Sequence, residues 1–231
     1  MVSGLMKIYQ LTKSVLSFRN NAVEFLNGLT TNDMDKPWNA FVDIHGRIIA
    51  VFDQIKMSDE EVWCVVETNF AEDVLSHIDR YAKLSGVKVE RKDNYHVYFD
   101  LDGDALTQKG DNTISQKKGR LLITQRVLSA NVSEEEFTLF RVKNNIPWLG
   151  VDFQKDEFLL NVSETDHVSY TKGCFLGQEP IAKVHSRSKP SWRLVVKAEE
   201  ECNEEEKQKM TSKVKDHPTG KILGFVFVRN L

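Results

Sequence analysis

Between Asn69 and Leu84 the apolar residues Phe70, Val74, Leu75, Ile78, Tyr81 and Ala82 recur at three- and four-residue steps. That spacing predicts an amphipathic helix, ended by Gly86. Val62–Glu67 before it and Val87–Glu90 after it read as strands. Ala40–Ile44 and Ile48–Met57 read as two more strands around the turn His45-Gly46-Arg47, and Tyr95–Leu101, Leu121–Gln125, Trp192–Lys197 and Lys221–Val228 are also strand-like. Further helices are expected over Asn21–Gly28, capped by Asn20 or Asn21, and over Ser133–Asn144, where Ser133 and Glu136 have capping-box spacing. Strands mixed with segregated helices give an α+β class. Asp102–Lys118, rich in turn formers and charge, reads as a mobile loop, and Glu199–Lys209 as a solvated loop or helix face. Two strands cannot stand alone as a domain, so the C-terminal tail is expected to pack on the rest or on a partner.

The chain has 231 residues and is 41% hydrophobic, enough for one large domain or two to three small ones. A formal charge of −3 gives no overall basic excess, so electrostatics alone does not make it a nucleic-acid binder. Cys64, Cys174 and Cys202 are odd in number and widely spaced. With no signal peptide before them, a reducing cytoplasm is expected rather than a disulfide framework. No CxxC pair or His/Cys cluster suggests structural zinc. The N-terminal MVSGLMKIYQLTK has no sustained apolar region, and no run approaches the roughly 18 apolar residues of a membrane span. Cys64 lies inside a strand and is read as packing. His96 reads as a structural surface histidine. Trp148, after the break Asn145-Ile146-Pro147, is either a core anchor or the wall of a pocket.

The densest chemistry lies in TKGCFLGQEPIAKVHSR, from Thr171 to Arg187. It reads as a turn entering a short helix, with backbone freedom at Gly173 and Gly177 and with Pro180 in the first helical turn. Gln178 and Glu179 fall near the helix start. Cys174 lies just ahead, within reach of Lys172, and a cation and a helix N-terminus both stabilise a thiolate. Cys174 is therefore a candidate reactive thiol; the other reading is a buried cysteine in a polar turn. Glu179 equally suits a helix-dipole role with Lys183 as its i+4 partner. His185 has no local companions for metal binding.

Lys172-Gly173-Cys174-Phe175-Leu176-Gly177-Gln178-Glu179, followed by Lys183, resembles the pattern K-G-C-[FY]-x-G-Q-E-x-x-x-[KR] of the folate-binding YgfZ family, related to the aminomethyltransferase (T-protein) of the glycine cleavage system. Every fixed position is filled. Phe25–Asp33 (FLNGLTTND), Asp43–Ile48 (DIHGRI), Arg80–Val89, Asn144–Phe153 (NNIPWLGVDF) and Val168–Tyr170 are similar to further family segments, in the family's order, over roughly Val15 to Arg187. Leu160-Asn161 departs from the usual proline-glutamine pair, and Asn145 stands where glycine is usual. The C-terminal β region, Ser188–Leu231, is shorter than the family's.

The resemblance implies a T-protein-like (GcvT/YgfZ) fold. Intertwined α+β subdomains over residues 1–187 surround a central cavity, approximately 50–125 being ferredoxin-like, with a short C-terminal β segment over 188–231. It implies tetrahydrofolate or a derivative in the cavity. Asn32, Gln178 and Glu179 are of the right type to meet the pterin, and Arg47, Lys183 or Arg187 to receive the anionic tail. The function it implies is a folate-dependent accessory protein for iron–sulfur cluster assembly or repair, linked to tRNA modification. Cys174 is then the working thiol, Lys172 its helper, and iron–sulfur proteins or their assembly machinery the partners. Two other readings are a folate-dependent aminomethyltransferase, with Asp33 or Asp43 as the acid, or another one-carbon transferase on the same fold, and a non-catalytic folate-binding interaction protein.

Overall fold

The computed structural model describes residues 6–163 and 165–230. The first five residues of the N-terminal stretch read above, Glu164 and Leu231 lie outside them. In chain order the elements are β1 (Ile8–Leu11), β2 (Lys13–Arg19), α1 (Ala22–Leu29), β3 (Trp38–Val42), β4 (Ile48–Lys56), β5 (Glu61–Glu67), α2 (Ala71–Ser85), β6 (Lys88–Arg91), β7 (His96–Asp100), β8 (Asn112–Ser115), β9 (Arg120–Thr124), α3 (Glu134–Lys143), α4 (Leu159–Val162), α5 (Gln178–Arg187), β10 (Trp192–Ala198), α6 (Glu204–Lys209), β11 (Thr211–Lys215) and β12 (Ile222–Arg229). They form three antiparallel sheets, ordered β3-β4-β5-β2-β6, β1-β7-β9-β8 and β10-β12-β11.

The five-stranded sheet is buried on both faces, which is why β5 reads as the nearly continuous apolar run VWCVV. Alternate residues of a strand point to opposite faces. Leu16, Phe18, Val62, Cys64 and Val66 join one core with Ala71, Val74 and Ile78 of α2. Val15, Trp63 and Val65 join a second core with Leu11, Val97, Phe99 and Leu121 of the four-stranded sheet. Phe137 of α3 seals that second core, stacked on Tyr9 with ring centroids 4.0 Å apart and tilted against Phe99 at 5.2 Å. The stripe on α2 therefore meets the sheet it requires. Cys64 is fully buried, and burial pushes its thiol well up.

Some expectations change. Strand β8 lies inside Asp102–Lys118, which was expected to be a mobile loop. It forms because Ile114 pairs with Leu121 and is buried, while Asp100 accepts from the Gly103 and Ala105 N–H groups and from Arg120. Asn21 holds the N-cap position of α1, but its side chain bonds Glu24 at 2.6 Å and not the helix backbone. At α3 half of the expected capping box is present: Ser133 Oγ accepts from the Glu136 N–H at 3.2 Å, while the Glu136 carboxylate pairs with Lys7 at 3.0 Å. Within residues 50–125, β5 and β6 belong to the five-stranded sheet and β7–β9 to the four-stranded one. The C-terminal tail has three strands rather than two, and Leu194, Val214 and Phe225 bury into the main core, so packing is continuous across residue 187. No described helix is long and apolar enough to cross a membrane.

Candidate functional site

Between the five- and four-stranded sheets lies a cavity of about 120 Å³. Its walls are largely apolar, from Leu11, Val51, Phe99, Leu121, Ile146 and Trp148, and it holds one concentrated polar cluster. Strand parity builds that cluster. Lys13 on β2 and Glu67 on β5 are direct cross-strand partners, and Trp38 on β3 stands opposite Asp53 on β4. All four side chains line the cavity. Lys13 Nζ reaches Asp53 Oδ2 at 2.9 Å and Glu67 Oε1 at 3.0 Å. Burial works against the Lys13 charge, but the two carboxylates outweigh it and raise the ammonium pKa. Gln116, just after β8, donates to Asp53 Oδ1 at 2.8 Å and accepts from Trp38 Nε1 at 3.0 Å.

A second polar group also lines the cavity. Lys117 and Asp166 pair at 2.6 Å, linking the β8–β9 turn to the segment after α4. His167 follows. Burial pulls its imidazole down to about 4, against the pull of Asp166 and Asp53, so it is neutral at pH 7. A histidine whose protonation is suppressed only in the fold withdraws stability as pH falls below its unfolded value near 6.5, until loss is complete below about 4. At pH 4.5 this amounts to about 2–3 kcal/mol relative to pH 7. Urea denaturation at the two pH values should show a smaller acid loss for His167→Gln than for wild type. Equal losses would contradict the assignment.

The Thr171–Arg187 segment does something different from lining this cavity. Lys172 Nζ donates to the Thr30 and Asn32 carbonyls, at 2.7 and 2.8 Å. Burial pulls its ammonium down to about 8, opposed by Asp33. The Leu176 N–H bonds the Gly28 carbonyl at 3.0 Å. Gly177 has φ +81°, and a Cβ there would collide with the Asp43 carbonyl oxygen and come within 2.8 Å of Val42 Cγ2. The segment is thus a clasp that fastens α5 to the turn after α1 and to the β3–β4 hairpin. Of its conspicuous residues, Lys172, Leu176 and Gly177 have packing or backbone reasons to be what they are.

Of the site residues singled out in the sequence, Asn32, Arg47, Lys172, Cys174, Gln178, Glu179, Lys183 and Arg187 do not line the cavity, whereas Trp148, read as a core anchor or a pocket wall, does. Asn32 is buried, and its amide nitrogen is committed to the Trp38 and Asp166 carbonyls, each at 2.9 Å. Arg47 donates to the Asp156 carbonyl at 2.7 Å. Gln178 and Glu179 start α5 behind Gly177, and Glu179, Lys183 and Arg187 are exposed. Asp43 caps its own hairpin by accepting from the His45 and Arg47 N–H groups. The residues that do line the cavity, Lys13, Trp38, Asp53, Glu67, Gln116, Ser163, Asp166 and His167, were missed, apart from Trp148. Their one signal was a charged residue on the inward parity of an otherwise apolar strand, as with Asp53 in IIAVFDQIK.

Cys174 is exposed, and the Lys172 ammonium is engaged with carbonyls. Cys64 and Cys202 are buried, with thiols pushed up by burial. Under native conditions a maleimide should therefore label one thiol per chain, and Cys174→Ser should abolish the labelling. Rapid modification of two or three thiols in the folded protein would contradict this. The rings of Tyr170 and His185 stack with centroids 3.6 Å apart. Among the described residues no group of three or more His, Cys, Asp or Glu side chains is arranged to hold a metal ion.

No family model matches the chain. Two curated proteins are similar to it. One is an uncharacterized protein of Haemophilus influenzae, 25% identical over 181 residues, covering 72% of this chain and 64% of the relative. The other is the mitochondrial iron–sulfur cluster assembly factor IBA57 homolog of Dictyostelium discoideum, 21% identical over 227 residues, covering 71% of this chain and 55% of the relative. The chain thus spans less than two thirds of the length of either. Among solved structures, the glycine cleavage system aminomethyltransferase T of Bartonella henselae superposes with a TM-score of 0.74 at 12% identity, over 96% of this chain and 78% of that one. The architecture is the T-protein fold, and the likeness to the YgfZ and T-protein group read from Lys172–Glu179 stands.

Proposed function

We propose that this chain, a T-protein fold carrying the KGCFLGQE segment, binds a reduced folate in its central cavity and serves iron–sulfur cluster assembly or repair, with tRNA-modifying enzymes among the beneficiaries. The observation that carries the folate half is the cavity itself: apolar and aromatic walls around one fixed cluster, Lys13–Asp53–Glu67–Gln116. Ligand sites are typically built in this way, with a few placed polar groups in an apolar slot. The donor set fits a reduced pterin. Each carboxylate oxygen of Asp53 already accepts one bond and retains a lone pair for a ring N–H. Bound tetrahydrofolate supplies ring nitrogens that carry one-carbon units. The protein's residues position it: Lys13 and Gln116 hold Asp53 in one orientation, and Trp148 and Phe99 exclude water.

The cluster-assembly half is supported by the similar IBA57 homolog and by the exposed Cys174, which stands outside the cavity as an independent thiol. The unbridged cysteines suit a reducing compartment such as the cytoplasm. Asp53 also favours a second reading, aminomethyl transfer to the folate, because that reaction needs a carboxyl group beside the accepting nitrogen.

Anaerobic titration calorimetry with tetrahydrofolate tests the first half. Wild type and Cys174→Ala should bind alike, and Asp53→Asn should bind at least about tenfold more weakly, the loss of one charge-assisted bond. No binding by folded wild type would remove the folate reading. Delivery of a cluster to an apo iron–sulfur protein, compared between wild type and Cys174→Ser, tests the second half. Release of formaldehyde equivalents from an aminomethyl-lipoyl carrier tests the transferase reading.

A further inference from the structure

The formal charge of the chain is −3, but its cations are not spread evenly. From Pro180 to Ala198 there is no Asp or Glu, while Lys183, Arg187, Lys189, Arg193 and Lys197 all fall in that stretch. Lys197 pairs with Glu206 at 2.7 Å. The other four are exposed, and so is Arg229, which the β10–β12 register places opposite Trp192. None of these five has a carboxylate partner among the described residues. The neighbouring acidic run supplies none, because its own lysines neutralise it. Glu199 pairs with Lys213, Glu200 with Lys221, Glu204 with Lys207 and Glu205 with Lys209, at 2.7–2.8 Å.

The five cations form a ridge. Lys183 and Arg187, four residues apart, share a face of α5, where a like-charge pair is mildly unfavourable in the free protein. Two residues on, Lys189 lines two adjoining surface grooves, one with Trp192 and Arg229, the other with Arg193. Asn230 lines both and fixes their shared edge by donating to the Pro190 carbonyl at 2.6 Å. The Arg229 guanidinium lies 5.2 Å from the centre of the Trp192 ring.

Two features narrow the partner. Membrane-surface binding and the cores of protein interfaces draw on apolar anchors. Between Thr171 and Lys221 no described large hydrophobic side chain is exposed. Phosphates need only the cations, and an aromatic ring among them adds a platform on which an unpaired base stacks.

We propose that this ridge binds single-stranded nucleic acid: Lys183, Arg187, Lys189, Arg193 and Arg229 meet phosphates, and Trp192 meets a base. None of these six residues lines the central cavity, so the inference stands independently of the folate reading.

The test is fluorescence anisotropy of labelled oligouridylate and oligothymidylate of about 15 nucleotides, enough for one site, titrated with the full chain over a salt series. Five phosphate contacts give a log–log salt slope of about −3.5, at about 0.7 per contact on a single strand. Lys183→Gln/Arg187→Gln/Lys189→Gln removes three of them, so the slope should shrink to about −1.4 and the affinity at low salt should fall at least about tenfold. All three are exposed, so the urea midpoint should not move. Lys207→Gln/Lys209→Gln, which removes paired lysines of the acidic run, should bind like wild type. Trp192→Leu keeps an apolar side chain and should weaken binding about tenfold with the slope unchanged. Preference for ribose or deoxyribose identifies the natural strand, and either supports the ridge. No binding by wild type at low salt would overturn the inference, as would equal binding by the triple variant. Competition by polyglutamate as effective as by unlabelled oligonucleotide would overturn it in favour of an acidic protein. Sedimentation with phosphatidylserine vesicles, without oligonucleotide binding, would overturn it in favour of a membrane. Full affinity in Trp192→Leu would overturn the base contact.

Discussion

Replacing Arg141 by leucine should destabilise the protein by about 3–5 kcal/mol, the range for breaking a buried ion pair from one side. Arg141 and Asp152 are 2% and 0% exposed and meet at 2.8 Å. The guanidinium also donates to the Ile146 carbonyl and to Ser212 Oγ, and lies 4.2 Å from the centre of the Trp148 ring. Asp152 in turn accepts from the Trp148 N–H and from the Thr211 and Ser212 hydroxyls. One pair thus joins α3, the cavity wall at Trp148 and strand β11 of the C-terminal sheet. Leucine would leave Asp152 buried without its cation. A urea midpoint corresponding to less than about 1 kcal/mol of loss would mean that the pair is not the junction its geometry indicates.

Alanine at Gly177 should be the other severe change, at about 3 kcal/mol or more. Two mechanisms add: a left-handed φ that alanine adopts at a cost, and a Cβ driven into the Asp43 backbone, which cannot move without shifting the hairpin. Gly173, four residues earlier in the same motif, is the internal control. A Cβ there meets nothing within 4 Å, and its φ is not left-handed. Gly173→Ala should stay within about 0.5 kcal/mol in the folded protein. Equal effects at the two glycines would contradict the clasp. A loss of function at Gly173→Ala without a loss of stability would instead mark it as part of a contact surface beside Cys174.

The two predictions concern residues of unequal visibility in the sequence. Gly177 stands in a pattern conspicuous enough to be read as a site, and the structure gives it a structural task. Lys172 is similar: its ammonium satisfies two carbonyls of the turn after α1. Arg141 looked like any cation in the last turn of a helix, yet it is among the most deeply buried large side chains. A solvated arginine and a buried one have the same letter. What separates them is a carboxylate eleven residues on, brought close by the turn around Trp148.

The amino-acid sequence by itself determined many of the local elements, because helix and strand periodicities are properties of neighbouring residues, but not β8, which forms only by pairing with β9. The α2 stripe, the β5 run, the Ser133 cap and the turn at Gly46 were all legible for that reason. It also carried the likeness to the T-protein group through one short, dense motif. The tertiary structure alone decided where the cavity lies. Lys13, Trp38, Asp53, Glu67, Gln116 and His167 are scattered over some 150 positions, and they converge only through cross-strand register and the packing of two sheets face to face. The same structure carried Gln178, Glu179, Lys183 and Arg187 away from that cavity, onto a helix whose first turn is pinned by Gly177. Proximity in three dimensions depends on strand pairing and buried area, and neither is written in the spacing of residues along the chain.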